Sequence, residues 1–327
     1  MSQLLTIFGG SGFVGRYIAR RMARQGWRIR VVSRRPNEAI FVKPYGRVGQ
    51  VEPFFANIRD DASVRAALNG ADAVVNCAGT FARGGRNGFD AIHEEGAGRI
   101  ARIAAEEGIS RMVHLSAIGA DPEGDSLYAV SKARGEEAVL GHMPDAVILR
   151  PSVIFGQEDQ LFNRFATMAR YTPILPLVGA KSRFQPVYVD DVARAAEAAL
   201  LGQAEKGIYE LGGPQIMSFA DMIREMLTVI RRRRGLINLP FFVARPMAGL
   251  MELGQSLSLG LVQAQITRDQ VAQLRVDNIV SDGARGFADL NIRPTAAAAV
   301  LPDYLWRFRP TGQYDAIKES AKNLRSQ

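Results

Sequence analysis

Tyr128 and Lys132 stand four residues apart in Tyr128-Ala129-Val130-Ser131-Lys132, a spacing that sets both side chains on one face of a helix. An ammonium beside a phenol favours the phenolate and lowers the tyrosine toward a range useful for general acid–base chemistry. Such a pair needs a reactant held in front of it. Far upstream, the apolar run Leu4-Leu5-Thr6-Ile7-Phe8 feeds straight into Gly9-Gly10-Ser11-Gly12-Phe13-Val14-Gly15, a glycine-spaced turn that opens an amphipathic helix. Strand, turn and helix in that order form a pyrophosphate cradle. Gly9 or Gly10 permits the tight turn, Gly12 lets the backbone approach phosphate, Gly15 lets the helix pack close to the strand, and the helix N-terminus faces the negative charge. Lys132 then has a second use, reaching the nicotinamide ribose of the bound dinucleotide.

The end of the next strand decides which dinucleotide fits. An acidic residue there bonds the adenosine ribose 2′-hydroxyl and repels a 2′-phosphate; this chain carries Ser33-Arg34-Arg35 instead. Arg34, roughly 19 residues after Gly15, offers a planar donor fork suited to phosphate, with Ser33 and Arg35 beside it. The expected cofactor is NADPH, tightly bound. Asn57, followed by Ile58, is placed to meet the adenine amino group or simply to form a turn. Ala78 and Gly79 are small enough for close approach to the dinucleotide, and Pro151 closes the expected set at the end of a later strand.

The elements that must position these residues are legible as alternation. Short apolar runs at Leu4–Phe8, Arg28–Ser33, Val51–Ala56, Ala73–Cys77, Arg111–Ser116 and Ala146–Leu149 read as six strands. Helical patterns lie between them around Gly12–Gly26, Ala62–Asn69, Gly88–Gly108 and Ser126–Gly141. The expected fold is α/β, a doubly wound Rossmann-type parallel sheet with a smaller, mostly helical C-terminal lobe. Residues 1–150 form the NADP(H)-binding domain, with returning elements from 151–215, and residues 216–327 form the lobe. Within it, Ser218-Phe219-Ala220-Asp221 reads as a capping box opening a helix that ends in Arg231-Arg232-Arg233-Arg234. The segment Leu239–Val262 is apolar but interrupted by Pro240, Arg245, Pro246 and Glu252. It reads as an interfacial or groove-lining helix, or one packed on its own core, rather than a membrane span.

Composition bounds the environment. The chain of 327 residues is long enough to bury a core without disulfides, and its one cysteine, Cys77, lies in an apolar run and reads as a small buried hydrophobe. A lone cysteine and the absence of a secretory leader point to a reducing compartment. The net charge of +8 sits mostly in the C-terminal third, where residues 230–327 carry 14 basic and 8 acidic side chains. No aromatics interleave with the arginine run, which argues against nucleic acid; basic beside apolar residues suit an anionic lipid surface or an acidic protein partner.

Over nearly its whole length the chain resembles the extended and atypical short-chain dehydrogenase/reductase superfamily. The likeness rests on Gly9–Gly15, Asn76-Cys77-Ala78-Gly79, His114-Leu115-Ser116-Ala117, Tyr128-x-x-x-Lys132, Arg150 to Gly156 and Pro186 to Ala193. It implies a working set of Ser116, Tyr128 and Lys132. Active extended members carry a second Ser or Thr where this chain has Ala117, and losing a donor where charge develops is worth on the order of 3 kcal/mol. The set is therefore expected to be vestigial unless Ser116 takes over that task. Leu274 to Ser281, Gly286 to Thr295 and Leu301 to Arg309 extend a narrower resemblance to the nucleotide-binding accessory subunits of respiratory complex I. That resemblance implies an NADPH that shapes the protein, and partners among the subunits of the peripheral arm near the quinone region and the membrane-arm junction. With no presequence before the first strand, the chain looks like a bacterial form, peripheral on the cytoplasmic face of the inner membrane. The competing expectation is a free-standing NADPH-dependent reductase or epimerase acting on an apolar substrate.

Overall fold

The computed structural model describes residues 2–82, 84–257, 267–312 and 314. Residues 2–152, 189–212 and 279–294 make one compact unit; the second comprises 153–188, 213–278 and the described residues from 295 onward. Residues 279–294 thus belong with the first unit, although the sequence groups them with the C-terminal lobe. Residues 153–188 belong to the second unit, although they read as returning elements of the first.

In the first unit seven strands form one parallel sheet: β1 (Leu4–Phe8), β2 (Arg28–Ser33), β3 (Val51–Phe55), β4 (Ala73–Asn76), β5 (Arg111–Leu115), β6 (Val147–Pro151) and β7 (Gly207–Leu211), in the order β7-β6-β5-β4-β1-β2-β3. Strands covered on both faces read as continuous apolar runs, and β1 and β4 are buried at every position. The helices are α1 (Phe13–Arg24), α2 (Asp61–Leu68), α3 (Glu95–Glu106), α4 (Leu127–His142) and α5 (Val189–Leu200). In α1, Val14, Ile18 and Met22 recur at fourfold spacing and are buried, and the helix stops at Gly26, whose φ of +84° continues into a turn. Phe8, Val64, Leu68, Ile100 and Ile103 share one core cluster, each fully buried side chain contributing roughly 1.5–3 kcal/mol.

The chain runs from β1 outward to β3 and then crosses to β4 on the other side of β1, with Phe8 in register with Asn76. That reversal opens a crevice at the C-terminal ends of β1 and β4, where open α/β sheets bind ligands.

The second unit is mostly helical. Ser218 caps the helix Phe219–Val229 by accepting from the Asp221 N–H at 3.1 Å, and Phe162, Phe219, Ile223, Met226, Leu301 and Leu305 meet in its core. Leu239 ends a strand, Gly235–Leu239, paired in parallel with Ile174–Val178, so the helix expected from Leu239 begins at Phe241 and runs to Leu257. Ala244 and Ala248 of that helix are buried against Val178 and Val271, whereas Phe242 and Val243 are exposed. Residues 258–262 of the expected segment lie outside the described residues. Two side chains of the arginine run are tied down within the unit: Arg232 donates to the Phe308 carbonyl and Arg234 to the Ala169 carbonyl.

Candidate functional site

The expected site residues fall at the C-terminal ends of successive strands, and therefore along one edge of the sheet. Gly9 has φ of +73°, and a Cβ there would lie 2.8 Å from the Cys77 carbonyl, so Gly9, not Gly10, makes the turn. At Gly15 a Cβ would lie 2.4 Å from the Gly9 carbonyl and 2.7 Å from the Gly10 Cα; glycine is what lets α1 close on the loop. Gly12 is the exposed N-cap, without a side-chain cap, and no acidic residue occupies the first turn. The first-turn N–H groups thus meet neither a capping side chain nor an acid, as anion binding requires.

After β2, Ser33 accepts from the Arg35 N–H at 3.2 Å. The Arg35 side chain pairs with Glu38 at 3.0 Å, whereas exposed Arg34 donates to Asn87 at 3.0 Å. Of the two, Arg34 is the guanidinium without a carboxylate partner among the described residues. After β3, the Asn57 side-chain oxygen accepts from the Arg59 N–H and Nε at 3.2 and 3.1 Å, which is turn-forming work, and Ile58 packs toward Gly96 of α3. After β4, the Ala78 N–H donates to Asn76, exposed Gly79 carries no side chain, and Cys77 is half-buried rather than buried. Pro151 ends β6, where its carbonyl accepts from Ile118.

α4 brings Tyr128 and Lys132, the expected acid–base pair, to this edge. Ser126 caps it, and Tyr128 and Lys132 lie one turn apart, with Lys132 Nζ 5.8 Å from the phenol ring centre and 3.1 Å from the Leu115 carbonyl. Burial pushes the Lys132 ammonium down to about 8, opposed by Glu136 one turn further on. Ser116 is 4% exposed, and its hydroxyl has no hydrogen-bond partner among the described residues. An orphan hydroxyl at the C-terminal end of β5 and a glycine-floored cradle at the end of β1 fit a group that spans the edge.

The sequence alone did not reveal what surrounds Tyr128. Phe81 stacks on its ring at 5.6 Å, while Phe89 and His93 meet it edge-on at 5.8 and 5.6 Å. His93 lies in a π-turn, Asp90–Glu94, that breaks the single helix expected over Gly88–Gly108. Its Nε2 accepts from the Thr80 N–H at 3.0 Å, which puts the proton on Nδ1; Nδ1 donates to Ser131 at 2.9 Å, and Ser131 donates to the Tyr128 carbonyl at 2.8 Å. Burial and the Lys132 charge push His93 down to about 3, so it stays neutral and acts as a strut. Gly135 admits the π-turn, since a Cβ there would lie 2.2 Å from the His93 carbonyl. A lone histidine amid an acidic and alanine-rich helix was the one local signal.

Lys132 supplies a sign-definite test. Between about pH 8 and its ordinary 10.5 the unfolded chain holds a proton that the folded chain has released, so this group makes stability rise with pH across that window. Below it, the buried cation is a cost. Lys132→Met is expected to stabilise the dinucleotide-free protein by about 1–2 kcal/mol at neutral pH and to flatten that rise, after allowing for the lost bond to Leu115. Urea titrations at neutral and alkaline pH check it; a destabilised variant at neutral pH overturns the reading.

Residues 5–212 match the family described as NAD dependent epimerase/dehydratase. The chain belongs to that family. A nicotinamide cofactor is accordingly the group its edge is suited to hold. Among relatives, it is 33% identical over 314 residues to NADH dehydrogenase [ubiquinone] 1 alpha subcomplex subunit 9, mitochondrial, of Arabidopsis thaliana, covering 94% of this chain and 78% of that one. It is 30% identical over 239 residues to a ceramide reductase of Caulobacter vibrioides, covering 72% of this chain and 74% of that one. Among solved structures, the dTDP-glucose 4,6-dehydratase DesIV of Streptomyces venezuelae superposes with a TM-score of 0.72 at 18% identity, over 95% of this epimerase/dehydratase-family chain and 98% of that one.

Proposed function

We propose that this chain is an NADPH-holding accessory subunit of respiratory complex I (NADH:ubiquinone oxidoreductase), serving assembly and stability of the peripheral arm near the quinone site. The observation that carries this is the reach of the likeness to the alpha subcomplex subunit 9 protein, 94% of the chain. The match to the epimerase/dehydratase family, by contrast, ends at residue 212. The partners are the other subunits of the complex around its membrane-arm junction, with an anionic lipid surface in reach, and the location is peripheral, on the cytoplasmic face of a bacterial inner membrane. No helix among the described residues is long and apolar enough to cross a membrane.

Gly9, Gly10, Ser11, Gly12, Phe13, Val14 and Gly15 would hold the pyrophosphate, Arg34 with Ser33 the 2′-phosphate, and Tyr128 and Lys132 the nicotinamide ribose. The cofactor supplies hydride chemistry when bound. For a subunit that keeps it, the benefit is mass action: a ligand held only by the folded state stabilises that state. Phe81 stacked on the phenol, and alanine at position 117, both withdraw what a turning-over site needs in front of Tyr128.

A second reading, an NADPH-dependent reductase or epimerase of an apolar substrate, is favoured by the ceramide reductase match and by the orphan Ser116 hydroxyl. Tyr128→Phe separates the two. In the subunit, NADH:quinone activity of solubilised membranes stays within about twofold and the chain travels in a large assembly; in the reductase, NADPH oxidation by the purified protein falls by roughly 10²–10⁴. Arg34→Ala is expected to weaken NADPH retention roughly tenfold or more while leaving NADH nearly untouched. Unchanged NADPH retention, read from nucleotide released on denaturation, removes Arg34 from the site.

A further inference from the structure

At the opposite edge of the sheet, where β1, β2 and β3 begin, a cleft of about 620 Å³ is lined in part by Arg24, Arg28, Arg47 and Gln50. We propose that this arginine cleft is a second anion site, taking a multiply charged phosphate group, carried on a phospholipid head or on a small soluble phosphate. It lies a strand length, roughly 15–20 Å, from the glycine turn, so it is separate from the dinucleotide edge.

Many arginines of this unit are tied to carboxylates. Arg21 is held by Asp190 and Glu197, Arg65 by Glu106 and Glu107, Arg99 and Arg102 by Asp61, and Arg150 by Glu136. Arg24, Arg28 and Arg47 have no ion-pair or side-chain hydrogen-bond partner among the described residues, and no residue lining the cleft is acidic. Like charges gathered without counter-charge repel, and a guanidinium fork is well shaped for phosphate oxygens.

The cleft is also built. The Gln50 side chain donates to the Ala23 and Trp27 carbonyls at 2.6 and 2.9 Å and accepts from the Arg47 N–H at 2.8 Å, which ties the loop 46–50 to the end of α1. The main chain at Arg47 is thereby tied to the end of α1, next to exposed Arg24. Gly49, with φ of +77°, completes the turn, and Val48 stands fully exposed at its tip. A cleft of this size suits one head group or a small diphosphate.

The test follows the amides of Gly46, Arg47 and Gly49 by NMR during titration with inorganic pyrophosphate, so that phosphate at the glycine turn is not counted. A parallel arm floats the protein with phosphatidylcholine vesicles with and without phosphatidate. Saturable shifts at those amides identify a soluble phosphate ligand; phosphatidate-dependent flotation identifies a lipid head. Either signal should fall by roughly tenfold in affinity for each arginine replaced in Arg24→Gln, Arg28→Gln and Arg47→Gln. Arg47→Gln, on an exposed loop, carries the test alone if the triple variant does not fold. No shifts and no flotation by the wild-type chain, or equal binding by Arg47→Gln, overturns the proposal.

Discussion

Gly15→Ala is expected to leave the purified chain without pyridine nucleotide and without the rise in thermal midpoint that the proposed NADPH site predicts for the wild-type protein. The added methyl would sit 2.4 Å from the Gly9 carbonyl and 2.7 Å from the Gly10 Cα, both main-chain atoms. No side chain can swing aside to make room, so either α1 retreats from the strand or the loop opens. Overpacking of this kind costs about 1–3 kcal/mol. The larger effect is on binding, because the N–H groups at the start of α1 act only if they converge on one point, and a displaced helix start spreads them. A ligand at a hundred times its dissociation constant contributes about 2.7 kcal/mol to stability, and the variant should forfeit that as well. Measuring released nucleotide and the thermal midpoint with and without NADPH separates the two losses. Retention equal to wild type would mean that the pyrophosphate is held elsewhere.

The same glycine turn shows why half of the site could be read before the structure. The turn, the strand before it and the helix after it are consecutive in sequence, and strands covered on both faces announce themselves as apolar runs. Six of the seven sheet strands carry that signal. The seventh, Gly207–Leu211, starts at a glycine and contains Glu210, a buried carboxylate that the chain places only because Arg150 and the Ser281 N–H meet it. Those partners are distant in sequence, as are Phe81 and Phe89 relative to Tyr128, so local pattern held no trace of them. The π-turn at His93 was hidden for a related reason. Its geometry depends on the close approach allowed by Gly135, a glycine inside a helix that looks like a weak point until its neighbour is known. Leu239 misled in the other direction, since an apolar residue before a proline and a helical run is equally a strand end, and its pairing partner Val178 lies far upstream.

Arg150→Met should be the most destabilising single change at the edge of the site, with a loss of about 3–5 kcal/mol, because it leaves buried carboxylates without their cation. Arg150 donates to both Glu136 oxygens, at 2.9 and 2.6 Å, and approaches Glu210 at 3.6 Å; the two acidic side chains are 5% and 9% exposed. Methionine fills comparable space but neutralises neither. Glu136 sits on α4 one turn beyond Lys132, so the guanidinium fixes the helix that presents Tyr128 and Lys132 to the edge. Glu136→Gln added to Arg150→Met should recover a large part of the loss, since an amide removes the stranded charge, and the double-mutant cycle reads the coupling directly. A further sign distinguishes this account from simple loss of packing. With Arg150 gone, Glu136 acts more strongly on Lys132, whose ammonium should then titrate above its present value of about 8. Denaturant midpoints for the two single variants and the double variant measure the first effect, and NMR titration of the Lys132 side chain the second. A loss below about 1 kcal/mol for Arg150→Met would place the pair among surface bridges and detach it from the positioning of α4.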